Sequence, residues 1–177
     1  MKTIFLLRHA KSSWSDPSTD DFERPLNERG KRNAAQIGTY LAENSILPDV
    51  ILCSPAARAQ ETLSLIRPYL PENQTFMINN ELYLASAVTI LNFIEQVKET
   101  ASSVMIIAHN PGLHELALNL AGRANIGVSP LLNRVMQKYP TGALALAICE
   151  TQNWADLTQN PSSLVDFVCP EDLPPVI

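Results

Sequence analysis

This chain of 177 residues is poor in cysteine, histidine and glycine, with three Cys, three His and six Gly. Cys53, Cys149 and Cys169 are odd in number, far apart and in no metal-ligand spacing, so they offer neither a disulfide framework nor a metal set. A reducing cytoplasm suits them better. Cys53 and Cys149 lie in apolar runs and read as buried thiols. Long hydrophobic runs are missing too, since no stretch approaches the roughly 20 apolar residues of a membrane span. The opening "MKTIFLL" imitates a signal peptide, but Arg8 interrupts it at about half of the usual 7–15 apolar residues. A net charge of −5 also leaves out the basic footprint that general nucleic-acid binding requires.

With 46% apolar and 18% charged residues, the chain has the composition of a folded domain. Its length fits one domain over 1–177, with Pro170, Pro174 and Pro175 making an irregular tail from about residue 170. The charge is unevenly spread. Residues 1–67 hold nine of the thirteen Lys and Arg against eight acids, and residues 68–177 hold four against ten. An anion site is therefore expected mainly from the first part of the chain.

Apolar runs alternate with segments of helical spacing, the pattern of an α/β domain with a mostly parallel sheet. "TIFLLRH", "DVILC" and "SVMIIAH" read as buried strands, "TFMI" as a short one and "ALALAICE" as another. Asn27 is expected to cap a helix carrying Gly30, Ala34, Ile37 and Leu41 on its small or apolar face. Ser54 and Pro55 are expected to cap and open a second helix. "SAVTILNFIEQVKE", "PGLHELALNLAG" and "LLNRVMQKY" supply further helices, and "NWADL" is expected to return as an antiparallel edge.

Three strands end alike. "FLLRH" ends in Arg8 and His9, "ILCS" leads to Arg58, and "MIIAH" ends in His109. In an open parallel sheet the carboxyl ends of the strands line one crevice, so these four groups can converge. Arginine presents a planar fork of donors suited to phosphate. A histidine among such groups can attack phosphorus, and neighbouring arginines disfavour its protonated form. A second histidine opposite can donate to the phosphoryl group in transfer. A zinc site fits poorly, because His109 and His114 lack ligand spacing and arginines repel a cation. His114, inside a helix, reads as structural.

At these residues a family resemblance emerges. "LLRHAKSSW" resembles the Arg-His-Gly/Ala signature of the histidine phosphatase superfamily, whose fold is phosphoglycerate mutase-like. "DFERPLNERG", "SPAARAQET", "VMIIAHNPGLHELA", "YPTGALALA" and "LVDFVCPEDL" resemble the short SixA-like phosphohistidine phosphatases in the expected order. The resemblance implies a three-layer α/β/α sandwich and a phosphohistidine intermediate on His9. It also implies that Arg8, Arg58 and His109 hold the phosphoryl group, with no metal or other cofactor. Lys11 and Ser15 stand where phosphoglycerate mutases usually carry Glu and Asn. The segment between Glu81 and His109 is shorter than in the mutases, which implies an open site.

Glu81, in "NNELYLAS", falls where superfamily members often carry the acid that protonates the leaving group; a solvated loop glutamate is the other reading. Lys11 and Arg24 either add positive potential at the mouth or make surface ion pairs. Trp14 is expected to pack under its own loop rather than line the entrance. The expected activity is that of a metal-independent phosphatase acting on phosphohistidine in a protein. A phosphomonoesterase on small phosphate esters and a phosphate-binding or phosphorelay protein without turnover are the alternatives.

Overall fold

The computed structural model describes residues 1–121 and 129–175. Strands β1 (Lys2–Arg8), β2 (Val50–Cys53), β3 (Thr75–Ile78), β4 (Ser103–Ala108), β5 (Leu144–Cys149) and β6 (Ser162–Val168) form one sheet. Their spatial order is β3-β2-β4-β1-β5-β6. β1 to β4 pair in parallel, while β5 runs antiparallel to both β1 and β6. The helices are α1 (Glu28–Glu43), α2 (Ala57–Ile66), α3 (Ala87–Glu95), α4 (Gly112–Ala121) and α5 (Pro130–Gln137).

The side-chain period of two along a strand divides the core between the faces. Ile4 and Leu6 of β1 join Val104 and Ile106 of β4 beneath Ile90, Leu113 and Val135 from α3, α4 and α5. Phe5 and Leu7 join Met105 and Ile107 against Ile37 and Leu41 of α1 and Leu63 and Ile66 of α2. The result is a three-layer α/β/α sandwich with a mostly parallel sheet. Fully burying each large apolar side chain contributes about 1.5–3 kcal/mol, so the continuous apolar runs of β1 and β4 belong at the centre.

Asn27 caps α1 by accepting from the Gly30 amide at 2.8 Å. Gly30 is required there, because a Cβ would stand 2.1 Å from the Lys11 carbonyl oxygen. This close approach ties the first turn of α1 to the loop that follows His9.

Three expectations change. The helix after β2 starts at Ala57 and not at Pro55, and Ala56 caps it without a side-chain hydrogen bond. "NWADL" forms 3₁₀ turns within Trp154–Gln159, where Trp154 and Leu157 are buried; the antiparallel edge is β6, after Pro161. The helix expected to run to Glu99 ends at Glu95. The tail is irregular but docked, since the Gln36 amide donates to the Pro174 carbonyl at 2.9 Å. Gly122, at the end of the helix expected after Pro111, and the last two residues of the tail lie outside the described residues. Among the described residues, no helix is long and apolar enough to cross a membrane.

Candidate active site

The register of the parallel strands brings the site together. Arg8 of β1 pairs with Ala108 of β4, and Cys53 of β2 with Ile107. The three strands therefore end level, and the residues that follow (His9, His109 and Ser54) share one rim. The Gly142 amide donates to the carbonyls of Arg8 and His9, at 3.1 and 3.0 Å, and pins the end of β1. Its φ of +77° is one that glycine adopts without strain. Arg8, His9, Arg58 and His109 line a cavity of about 480 Å³, together with Lys11 and Arg24.

His9 is 6% exposed. Its Nδ1 lies 2.7 Å from the Ala10 carbonyl, a contact only an N–H can make, which leaves the lone pair on Nε2. The Arg58 Nε–H points at that Nε2 from 3.3 Å. Burial pushes the His9 pKa down to about 3, with His109, Arg58 and Arg8 adding to the shift and the Ala10 hydrogen bond opposing it. Reading the sequence credited the arginines alone, whereas loss of water is the larger cause.

The His109 ring lies 5.0 Å from that of His9, centroid to centroid. Its Nε2 shares a 2.6 Å hydrogen bond with the Ser54 hydroxyl, so Ser54 serves the site and not only the helix entrance. Burial, followed by Arg58 and Arg8, also lowers the His109 pKa to about 3, with Asp21 opposing. His109 Nδ1 and Arg8 Nε are buried without a hydrogen-bond partner among the described residues. Buried unpaired polar groups are costly, and a bound oxyanion is a natural partner for such donors.

Arg58, 2% exposed and second residue of α2, is held by Asp21. Its Nη2 pairs with Asp21 Oδ2 at 3.0 Å, and its Nη1 donates to the Asp21 carbonyl. The Tyr83 hydroxyl donates to the same Oδ2 at 2.6 Å, and Arg24 Nη2 pairs with Oδ1 at 2.6 Å. The hydroxyl of Tyr83, with Arg24 and Arg58, holds the Asp21 carboxyl well below the usual carboxylate range against the opposing effect of its own desolvation. Asp21 thereby anchors Arg58 beside His9. Reading the sequence missed it; the only signal was its place in the acidic run "DDFERP". Asp21→Asn should lower kcat/KM on an aryl phosphate roughly 10–100-fold, because a small misplacement of Arg58 suffices for such a loss. Wild-type rates in that variant would reduce Asp21 to a surface ion pair.

The remaining expectations resolve individually. Glu81 is exposed on the 3₁₀ turn Asn80–Leu82 and does not line the cavity; from the same segment Leu84 does, and the Tyr83 ring meets His109 edge-on at 5.6 Å. Lys11 lines the cavity. Arg24 does so too, and its pair with Asp21 is buried on the arginine side and not the surface pair expected. Trp14 lines the entrance, is 71% exposed and carries the Arg24 guanidinium 3.6 Å above its ring, so it does not pack under its loop. His114 Nε2 donates to the Val135 carbonyl at 2.6 Å and is structural.

The family model of the histidine phosphatase superfamily, branch 1, matches residues 4–81. An uncharacterized protein of Mycobacterium tuberculosis is 31% identical over 164 residues, spanning 93% of this chain and 99% of that protein. The chain belongs to the histidine phosphatase superfamily. A candidate phosphohistidine phosphatase SixA of Agrobacterium tumefaciens superimposes with a TM-score of 0.79 at 30% identity, over 96% of this chain and 98% of that one. Another, from Nakamurella multipartitia, gives 0.83 at 25% identity, over 99% and 97%. Within the superfamily the chain is thus SixA-like. The match of the family model ends before His109, which is brought to His9 by the sheet.

Proposed function

We propose that this protein is a metal-independent phosphatase that hydrolyses phosphohistidine in a protein through a phosphohistidine intermediate of its own. The observation carrying this reading is His9, whose neutral ring keeps its lone pair on Nε2, facing the Arg58 Nε–H in a cavity of cations. His9 Nε2 attacks phosphorus, a P–N bond forms to His9, and the bond to the substrate's leaving atom breaks. The leaving nitrogen takes a proton and departs. Water then attacks phosphorus, the P–N bond breaks with its electron pair returning to Nε2, and inorganic phosphate leaves. Arg8, Arg58 and His109 hold the phosphoryl oxygens, and His109 or Glu81 assists proton transfer.

Arginines supply the positive charge that a metal would otherwise provide. Activity is accordingly expected to survive chelators. The rim supports a protein-borne substrate: only α3 and β4 lie between the turn of Glu81 and His109, and Trp14 and Leu84 present exposed apolar surface beside the cavity.

The test offers the purified protein a phosphohistidine protein beside a panel of small phosphate esters and compares kcat/KM. Preference for the phosphohistidine protein is expected; a preference for an ester would establish the phosphomonoesterase reading. Phosphate bound without turnover of any substrate would leave a phosphorelay or storage role. The same panel assigns Glu81. An alkoxide leaving group benefits from a positioned acid, whereas solvent can protonate the imidazole of phosphohistidine. If Glu81, exposed on its turn, is that acid, Glu81→Gln should lower turnover of an alkyl phosphate on the order of 10²-fold and of phosphohistidine far less. Equal losses would contradict the leaving-group role, and no loss on either would leave His109 as the proton donor.

A further inference from the structure

Beside the phosphoryl cavity lies a second one, of about 210 Å³, lined by Arg8, Lys11, Arg29 and Lys138. The two cavities share Arg8, Lys11 and Thr141 as lining residues, so they adjoin. Arg29 comes from the first turn of α1, held close to Lys11 by Gly30, and Lys138 ends α5. The fold thus gathers four cations around a small cavity in a chain of net charge −5.

These cations are not consumed internally. Among the described residues, the side chains of Lys11, Arg29 and Lys138 make no hydrogen bond or ion pair. Glu171 is the one carboxylate on the cavity wall, and its side chain is likewise without an ion pair among the described residues. Nearby Asp172 is already paired with Arg134 at 2.6 Å. Arg8 spends Nη1 on the Tyr139 carbonyl at 2.8 Å, and its buried Nε has no partner. Four cations against one carboxylate leave the cavity with an excess of positive charge, and an anion entering it relieves the repulsion among them.

We infer that this second cavity is an anion subsite for the same substrate. It takes a carboxylate or phosphate carried next to the phosphoryl group that His9 attacks, an inference that rests on the proposed phosphatase reading. A substrate with a single phosphate leaves Lys11, Arg29 and Lys138 unpaired, whereas one with a second oxyanion engages both cavities through Arg8. The source of that oxyanion is an acidic side chain flanking a phosphohistidine or a second acidic group on a small ester, and the experiment separates them.

The double variant R29Q/K138Q alters exposed side chains outside the catalytic cavity, so its thermal unfolding should match wild type. On an aryl phosphate with one anionic group, its kcat/KM should stay within about two-fold of wild type. On a phosphohistidine peptide with flanking Asp and Glu it should fall roughly 5–20-fold, the scale for losing two partly exposed ion pairs. The fall should vanish when those acids are replaced by Asn and Gln, and near 1 M salt, where screening acts within about 3 Å. A fall confined instead to an ester bearing a second phosphate would assign the subsite to small substrates. Equal losses on the aryl phosphate, or no loss on any substrate with a second anion, would overturn the subsite.

A binding readout keeps the subsite separate from the phosphatase reading. Titration of the wild type with inorganic phosphate, followed by NMR, should give two saturable sets of amide shifts, one around His9 and His109 and one around Arg29, Asn33 and Lys138. The double variant should lose only the second set. If no phosphohistidine peptide is turned over but both sets appear, the substrate reading fails and the subsite stands. A single set at His9 and His109 refutes the subsite whatever the turnover shows.

Discussion

His9→Ala should abolish covalent labelling by a phosphate-labelled substrate and reduce turnover on the order of 10⁴–10⁶-fold, the scale for removing a nucleophile that acts with its neighbours as a unit. In the wild type, label should be trapped on His9 in an acid-labile, base-stable form, as a P–N bond requires. Labelling that persists in His9→Ala would move the nucleophile elsewhere. The buried setting of His9 adds a pH signature. An ordinary imidazole, with a pKa near 6.5, loses its lone pair to protonation between pH 7 and pH 5 and would label on the order of 20-fold more slowly at the lower pH. His9, lowered by burial to about 3, keeps its lone pair across that range. Rapid-quench labelling, corrected for ionisation of the substrate, should therefore hold between pH 7 and pH 5. A fall of the ordinary size would show that His9 is hydrated and protonates freely.

Arg58→Ala and Arg8→Ala should each lower kcat on the order of 10²–10³-fold, as expected for losing a preorganised donor to charge that shifts in the transition state. Arg58→Lys should restore little. Lysine keeps the charge but cannot direct one N–H toward His9 Nε2 while two others engage Asp21, which is how Arg58 is disposed. The measurement is kcat on an aryl phosphate for all three variants, with circular dichroism confirming the fold. Full activity in Arg58→Lys would show that only a positive charge is needed, and full activity in Arg8→Ala would remove Arg8 from the phosphoryl site.

The sequence by itself determined the class of fold and which four residues line one cavity at the strand ends. Continuous apolar runs in β1, β2 and β4 can only be satisfied by burial on both faces of a sheet. Once those strands are parallel, the residues just past their ends must share one rim, which is why Arg8, His9, Arg58 and His109 could be grouped across a hundred residues of chain. The cap at Asn27 was equally local, since it depends on one side chain and one amide three residues on.

Tertiary structure alone decided the rest. Asp21 holds Arg58 because a polar loop folds back over the end of α2, and nothing in the local pattern of "DDFERP" fixes where that loop lands. Ser54 looked like a helix cap because capping is a local interaction, but the chain bends before Ala57 and the hydroxyl meets His109 instead. Glu81 could be aligned by position in a motif, yet the 3₁₀ turn that carries it brings Tyr83 and Leu84 to the site, while its own side chain stays exposed. Arg29 and Lys138 join Arg8 only because α1 and the end of α5 pack beside the same strand end. Hydrophobic periodicity reports which face of an element is buried. Where an exposed charged side chain finds its partners depends on loop paths and on the packing of whole layers, and these are not encoded within a few residues.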